Sequence, residues 1–305
     1  MKPRYFRLAA VLALSLIFSL PVAQAGAVRL PPGLDASAAG ITGGALFGGT
    51  SPLLAEQGNL GRKLAIVRLY YMIGQNFKTP KVDRIMSAGG TVLASLDIPH
   101  GRGITYASVA AGHQDKQIRA WLTQAEREAV AHNIAAAAHL NAATGGRLRW
   151  AMILMHTAYF PRSMRPHWSL RLGFASQYFP GSGNVDVIAA DGYNRGGCRT
   201  SKSTKPTQPT VTPGSLFNPV LTFARTHGGL PVFIAEWGSA FFSGAPAWQA
   251  KFIPLMKAYV LNNPSIAAVS YWDQRGNLAC QFAINGHPLS VAAMTAMAKA
   301  INGHL

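Results

Sequence analysis

The 305-residue chain is 49% hydrophobic and 13% charged, enough apolar material for a large folded core and too little charge for an extended, disordered polymer. Its 28 basic and 11 acidic side chains leave a formal charge of +17, which favours contact with anionic surfaces such as acidic polysaccharide, teichoic acid or phospholipid headgroups; solvation of the surface is the plainer use of the same residues. The chain carries no usual nucleic-acid-binding motif, so no specific nucleic-acid partner is expected, and neither a metal cluster nor a cofactor motif is present in the sequence.

The N-terminus reads as an export signal. Lys2, Arg4 and Arg7 precede an apolar stretch over residues 8–22, and Ala23-Gln24-Ala25 supplies the small-x-small pattern of a cleavage site. The apolar stretch is shorter than the ~20 residues that span a bilayer. The expected organisation is therefore a signal peptide at 1–25 and one mature domain at 26–305. The protein would be secreted or extracytoplasmic, with no transmembrane segment in the mature chain.

Short apolar runs, rich in β-formers, then recur at 41–49, 64–71, 91–98, 148–156, 185–193, 231–238 and 266–272. Runs apolar on both faces fit buried parallel strands. Helical periodicity fills the intervals. Residues 119–140 are Ala-rich and helical, and Trp248, Phe252, Leu255, Met256 and Tyr259 share one face of a helix that Asn262-Asn263-Pro264 stops and Pro254 should kink. Strand–helix alternation of this length gives an α/β barrel or a doubly wound sheet. Polar and aromatic residues gather where strands finish, at Asp97, at 191–194, at Glu236-Trp237 and at 271–273, which favours a barrel whose strand tips share one rim. A doubly wound nucleotide-binding sheet lacks its Gly-rich phosphate loop. Residues 195–215 form a long Gly-, Ser-, Thr- and Pro-rich loop on that rim. It carries Cys198, and Cys280 follows the last strand, so the two cysteines either form a loop-tethering disulfide or remain as buried thiols.

Glu236 ends an apolar run and needs hydrogen-bonding partners if it is ionised and buried. Tyr193 at a neighbouring strand tip could donate one. Alternatively, Glu236 serves only as the ion-pair partner of a barrel arginine such as Arg68.

Four segments carry a resemblance. Residues 178–194 (YFPGSGNVDVIAADGYN), 231–239 (PVFIAEWGS), 266–273 (IAAVSYWD) and 111–118 (AGHQDKQI) resemble, in order, the stretch leading into strand six, strand seven, strand eight and the segment before strand four of glycoside hydrolase family 26. The resemblance implies a (β/α)8 TIM-barrel-like fold and a secreted, β-mannanase-like glycosidase acting by retaining double displacement. It makes Glu236 the nucleophile and Tyr193 its orienting partner. Asp191 and the aromatic pair Tyr271 and Trp272 would bind substrate, although core packing is the competing use of both aromatics. A polysaccharide would be the substrate or ligand, with an anionic cell-envelope polymer as a further partner.

The sequence departs from the family at the general acid/base. The family places a His-Glu pair at the tip of strand four, and this chain has none; His156-Thr157 offers threonine where glutamate belongs. Residues 147–155 resemble strand five, so strand four is missing between Trp121 and Glu126, and its glutamate with it. The acid/base remains unknown. Glu126 and Glu128 beside Arg127 read as a solvated charge run. A barrel that is irregular or incomplete around strand four leaves two further readings: a catalytically impaired glycan-binding barrel, or a basic envelope-associated binding protein.

Overall fold

The computed structural model describes residues 45–97, 104, 108–109, 111–121, 123–124, 149–164, 174–198, 203–274 and 280–301, together with the backbone of 13–17. Seven strands run parallel: β2 (Leu46–Thr50), β3 (Ile66–Met72), β4 (Thr91–Asp97), β5 (Arg149–Met155), β6 (Val187–Asn194), β7 (Val232–Ser239) and β8 (Ile266–Tyr271). All seven coincide with the apolar runs of the sequence. The eighth position, between β4 and β5, is taken by β1 (Ala13–Ile17), which pairs antiparallel with both neighbours and closes the barrel. The fold is thus a TIM-barrel-like α/β structure that is irregular at strand four. Among the described residues no strand lies between Asp97 and Arg149. β1 falls inside the stretch expected to be an export signal, so cleavage after Ala25 would leave β4 and β5 as facing edges.

Side chains alternate between two apolar layers, as the period of a strand requires. Leu46, Ile66, Leu93, Ile153, Phe233 and a set of alanines including Ala151, Ala189 and Ala235 fill the barrel interior. Phe47, Val67, Ile188, Ile234 and Val269 face the surrounding helices. Gly48 is required where β2 meets β3: a Cβ there would collide with the carbonyl oxygen of Ile66.

The helices start at the caps their sequences provide. Thr79 accepts from Val82 N at the head of α1 (Pro80–Ser87), and Thr212 accepts from Ser215 N at the head of α2 (Pro213–Thr226), each followed by proline in the first turn. The helix α3 (Ala247–Leu261) continues through Pro254 and stops at Asn262. Its buried face differs from the expected one: Gln249, Phe252, Ile253, Met256 and Val260 are buried, whereas Leu255 is 47% exposed. Gln249 turns inward because its amide donates to the carbonyls of Ser239 and Phe282 and to the Tyr271 hydroxyl. Residues 115–121 and 123–124 are helical, at the start of the stretch expected to be helix 119–140; the remainder lies outside the described residues.

Candidate active site

The rim is assembled from four strand ends. β3 supplies Arg68 and Tyr70, β6 supplies Asp191 and Tyr193, β7 supplies Glu236, and the residue after β8 is Trp272. Regular alternation would send Glu236 to the helix side with Ile234. A bulge prevents this: Ala190 of β6 pairs with Ile234 of β7, but the next pair is Asp191 with Glu236, so Ala235 is an extra residue. The bulge turns the glutamate into the barrel.

Arg68 is the hub. Its Nη1 donates to Asp191 Oδ1 at 2.6 Å and lies 3.1 Å from Glu236 Oε1, while its Nε donates to Ser95 Oγ at 3.0 Å. The Tyr193 hydroxyl donates to Glu236 Oε2. Both uses considered for Glu236, an ion pair with Arg68 and a hydrogen bond from Tyr193, are therefore present together. The side chain of Glu236 is 5% exposed and that of Asp191 16%, so Asp191 is the more open of the two to a bound molecule.

Two carboxyl groups share one guanidinium. Burial pushes the Glu236 carboxyl up to about 7, with Arg68 acting in the opposite direction. Burial also raises Asp191, again opposed by Arg68 through charge and hydrogen bond. Burial works against the charge on Arg68, but Asp191 and Glu236 outweigh it and hold the guanidinium more firmly protonated.

His156, just past β5, contacts the backbone of the site at Asp191. Its Nδ1 lies 3.1 Å from the backbone oxygen of Asp191, and burial lowers the ring to about 4. The imidazole is therefore neutral at neutral pH, and since a carbonyl only accepts, Nδ1 carries the proton. In the sequence His156-Thr157 is superficially similar to the family's His-Glu pair, with threonine where glutamate belongs. Thr157 is buried, and its hydroxyl has no hydrogen-bond partner among the described residues. Glu126 and Glu128 lie outside the described residues.

The aromatics divide. Trp272 is half-buried at the rim, edge-on to Tyr70 at 5.8 Å between ring centroids, and Tyr70 is itself 45% exposed and 5.0 Å from the Arg68 guanidinium carbon. Tyr271, expected beside Trp272 in the substrate site, is instead a core residue. It is fully buried on the helix side, packed against Trp237 at 4.8 Å, and its hydroxyl is engaged by Gln249 and the Phe282 carbonyl. Adjacent residues in a strand point to opposite faces, so Trp272 and Tyr271 cannot both reach the rim.

Cys198 and Cys280 are joined by a disulfide with a Cα–Cα distance of 5.8 Å. It ties the loop after β6 to the segment after β8, over a small cluster of Ala240, Phe242 and Phe282. Asn194 reinforces the same loop by donating to Ser239 Oγ and accepting from Val211 N. Among the described residues no group of three His, Cys, Asp or Glu side chains is placed to hold a metal ion, and no helix is long and apolar enough to cross a membrane.

No known family model matches the chain, and no characterised protein matches it in sequence. Solved structures do match in fold. A family 5 xyloglucanase from Paenibacillus pabuli superposes with a TM-score of 0.50 at 12% identity, over 82% of this chain and 90% of its own. The family 26 protein GH26C from a Muricauda species gives 0.48 at 10% identity over 84% and 85% of the two chains. A family 128 endo-β-1,3-glucanase from Amycolatopsis mediterranei gives 0.39 at 15% identity over 83% and 100%. At 12% identity the likeness to the xyloglucanase shows the TIM-barrel fold alone.

Proposed function

We propose that the protein is an exported retaining glycoside hydrolase acting on a β-linked polysaccharide, with Glu236 as its nucleophile. The observation that carries this reading is a buried glutamate, turned into the barrel by a bulge and held through both oxygens, by Arg68 on one and Tyr193 on the other. A carboxylate fixed in this way has its attacking geometry set before substrate arrives. In the reaction Glu236 attacks the anomeric carbon, the bond to the leaving oxygen breaks, and a glycosyl ester forms. Water then cleaves that ester and restores the carboxylate. Trp272 and Tyr70 offer the sugar an apolar face beside the nucleophile.

The leaving oxygen needs a proton. Asp191 makes the shorter contact with Arg68 and serves as its counter-ion, so it is assigned to substrate binding rather than to proton donation. Absence of a positioned acid lowers rates by about 10²–10⁴-fold. Aryl glycosides, whose leaving groups require little protonation, are therefore the substrates expected to turn over fastest. A β-mannan is the favoured polysaccharide on the strength of the segments that resemble family 26. The second reading is a glycan-binding barrel without turnover, favoured by the antiparallel β1 at the place where the family keeps its acid-bearing strand. Glu236→Gln separates the two: it should abolish cleavage of an aryl β-mannoside while leaving glycan binding in place. Unchanged cleavage would remove Glu236 from the mechanism, and no cleavage by the unaltered protein would leave the binding reading.

A further inference from the structure

Residues 280–284, beyond β8, form neither helix nor strand, yet they are pinned at 280, 281, 282 and 284. Cys280 is disulfide-bonded to Cys198. The Gln281 carbonyl accepts from Phe241 N at 2.8 Å. Phe282 N donates to the Gln274 carbonyl, and the Phe282 carbonyl accepts from the Tyr271 hydroxyl at 2.5 Å and the Gln249 amide at 3.0 Å. Ile284 N donates to Asp273 Oδ1 at 2.8 Å. Buried backbone groups need partners in any irregular segment. Here the partners come from α3 and from the ends of β6, β7 and β8, so the place of the segment is fixed from several sides.

The Phe282 ring makes use of that fixed place. It is 3% exposed and packs on the Tyr193 ring at 5.3 Å between centroids. Gly238, which pairs with Tyr193 across β6 and β7, makes room for it: a Cβ there would stand 2.9 Å from Phe282 Cδ1 and 3.5 Å from Tyr193 Cδ1. Glycine inside a strand often marks such a close approach. Arg195 also meets the Tyr193 ring, its guanidinium carbon 5.5 Å from the centroid, but Arg195 is exposed whereas Phe282 is buried and held from behind. A tyrosine hydroxyl lies at the end of a ring that swings about χ1 and χ2, so a wall against the ring sets where the hydroxyl lies. We infer that Phe282 is a positioning residue for the reaction: carried by the pinned segment, it holds the Tyr193 ring so that the hydroxyl stays on Glu236 Oε2, with Gly238 giving it access and Gln249 fixing its backbone. This role rests on the reading of Glu236 as the nucleophile.

The test follows the titration of the Glu236 carboxyl in the full chain by NMR of labelled glutamate, assigned by its loss in Glu236→Gln, so that the outcome does not depend on turnover. A hydrogen bond from Tyr193 favours the ionised carboxyl, so Tyr193→Phe should move the titration upward by about one to two pH units. Phe282→Ala withdraws the ring and Gly238→Ala displaces it. Each should move the titration in the same direction, and neither should move it further when combined with Tyr193→Phe. In cleavage of an aryl glycoside, kcat should follow the same pattern with KM unchanged; absence of cleavage by the unaltered protein would count against the hydrolase reading alone. The control Phe77→Ala removes an equally buried ring between β3 and α1, and should lower the denaturant midpoint while leaving the titration in place. A titration unmoved by both Phe282→Ala and Gly238→Ala, a shift that adds to that of Tyr193→Phe, an equal shift in Phe77→Ala, or no shift in Tyr193→Phe itself would each overturn the inference.

Discussion

Two sides of the same barrel are held together differently. On the side of β6, β7 and β8, three consecutive parallel strands carry the rim and are cross-braced above it: Asn194 bonds Ser239, Gln249 gathers Ser239, Tyr271 and Phe282, and a disulfide joins the loops that follow β6 and β8. On the opposite side the closing strand is β1, antiparallel in a parallel barrel and drawn from the N-terminal apolar stretch. Positioning of a catalytic carboxylate needs the first kind of construction. Arg68 on β3 extends that side across the interior by pairing with groups from β6 and β7.

The largest way to break the braced side is Arg68→Met. It strands Asp191 and Glu236 as buried carboxyls without their cation, a change that typically destabilises by about 3–5 kcal/mol. Denaturant unfolding would show it, and an unchanged midpoint would mean that the rim is not organised by Arg68. Next comes Cys198→Ser. The bridge closes an 82-residue separation, and the loop-entropy relation gives about 4.5 kcal/mol as its upper contribution, less whatever structure the unfolded chain retains. With reductant the melt of the unaltered protein should fall to that of the serine variant, and without reductant it should stay above it.

A smaller effect is expected from Tyr193→Phe. One hydrogen bond to a charged group contributes about 1.5–3 kcal/mol to folding stability, so the denaturant midpoint should fall accordingly, and kcat should fall with it as Glu236 loses its orientation. The pH profile sharpens the same point. Burial holds the Glu236 carboxyl near 7, and a carboxylate acting as the proposed nucleophile must be ionised, so kcat/KM should rise as the pH passes 7 rather than near the ordinary carboxylate range. Stability follows the opposite sign. A carboxyl raised in the folded state binds a proton that the unfolded chain releases, so its contribution to stability declines between its ordinary value of 4.5 and about 7.

The smallest effect should come from the other side. Arg68, Asp191, Tyr193 and Glu236 lie on β3, β6 and β7, none of which pairs with β1, and its neighbours β4 and β5 bring only Ser95 and His156 to them, so a chain beginning at Gly26 should retain the kcat of the full chain on an aryl glycoside. Loss of turnover on that truncation would show that β1 supports the site.

The sequence showed the architecture through one signal, the recurrence of short runs apolar on both faces, and each of those runs is a strand. The tip residues were legible for the same reason, since polar groups that end buried runs can only gather on a rim. Three features were not legible. The Ala235 bulge changes which face Glu236 occupies, and a run such as Phe-Ile-Ala-Glu contains nothing that marks an extra residue; it is set by pairing with β6. Tyr271 and Trp272 are equally aromatic, so only the register of β8 decides which faces the core. Gln249 is polar and reads as surface, yet it is buried because its hydrogen-bond partners come from three distant segments.

The central claim is that Glu236 forms a covalent bond to the sugar. Incubation of the unaltered protein with an activated 2-deoxy-2-fluoro glycoside, followed by peptide mass spectrometry, tests it most directly. The expected result is one added glycosyl group per chain, mapped to Glu236 and absent from Glu236→Gln. Turnover of the parent aryl glycoside with no such adduct, or an adduct on another residue, would contradict the assignment.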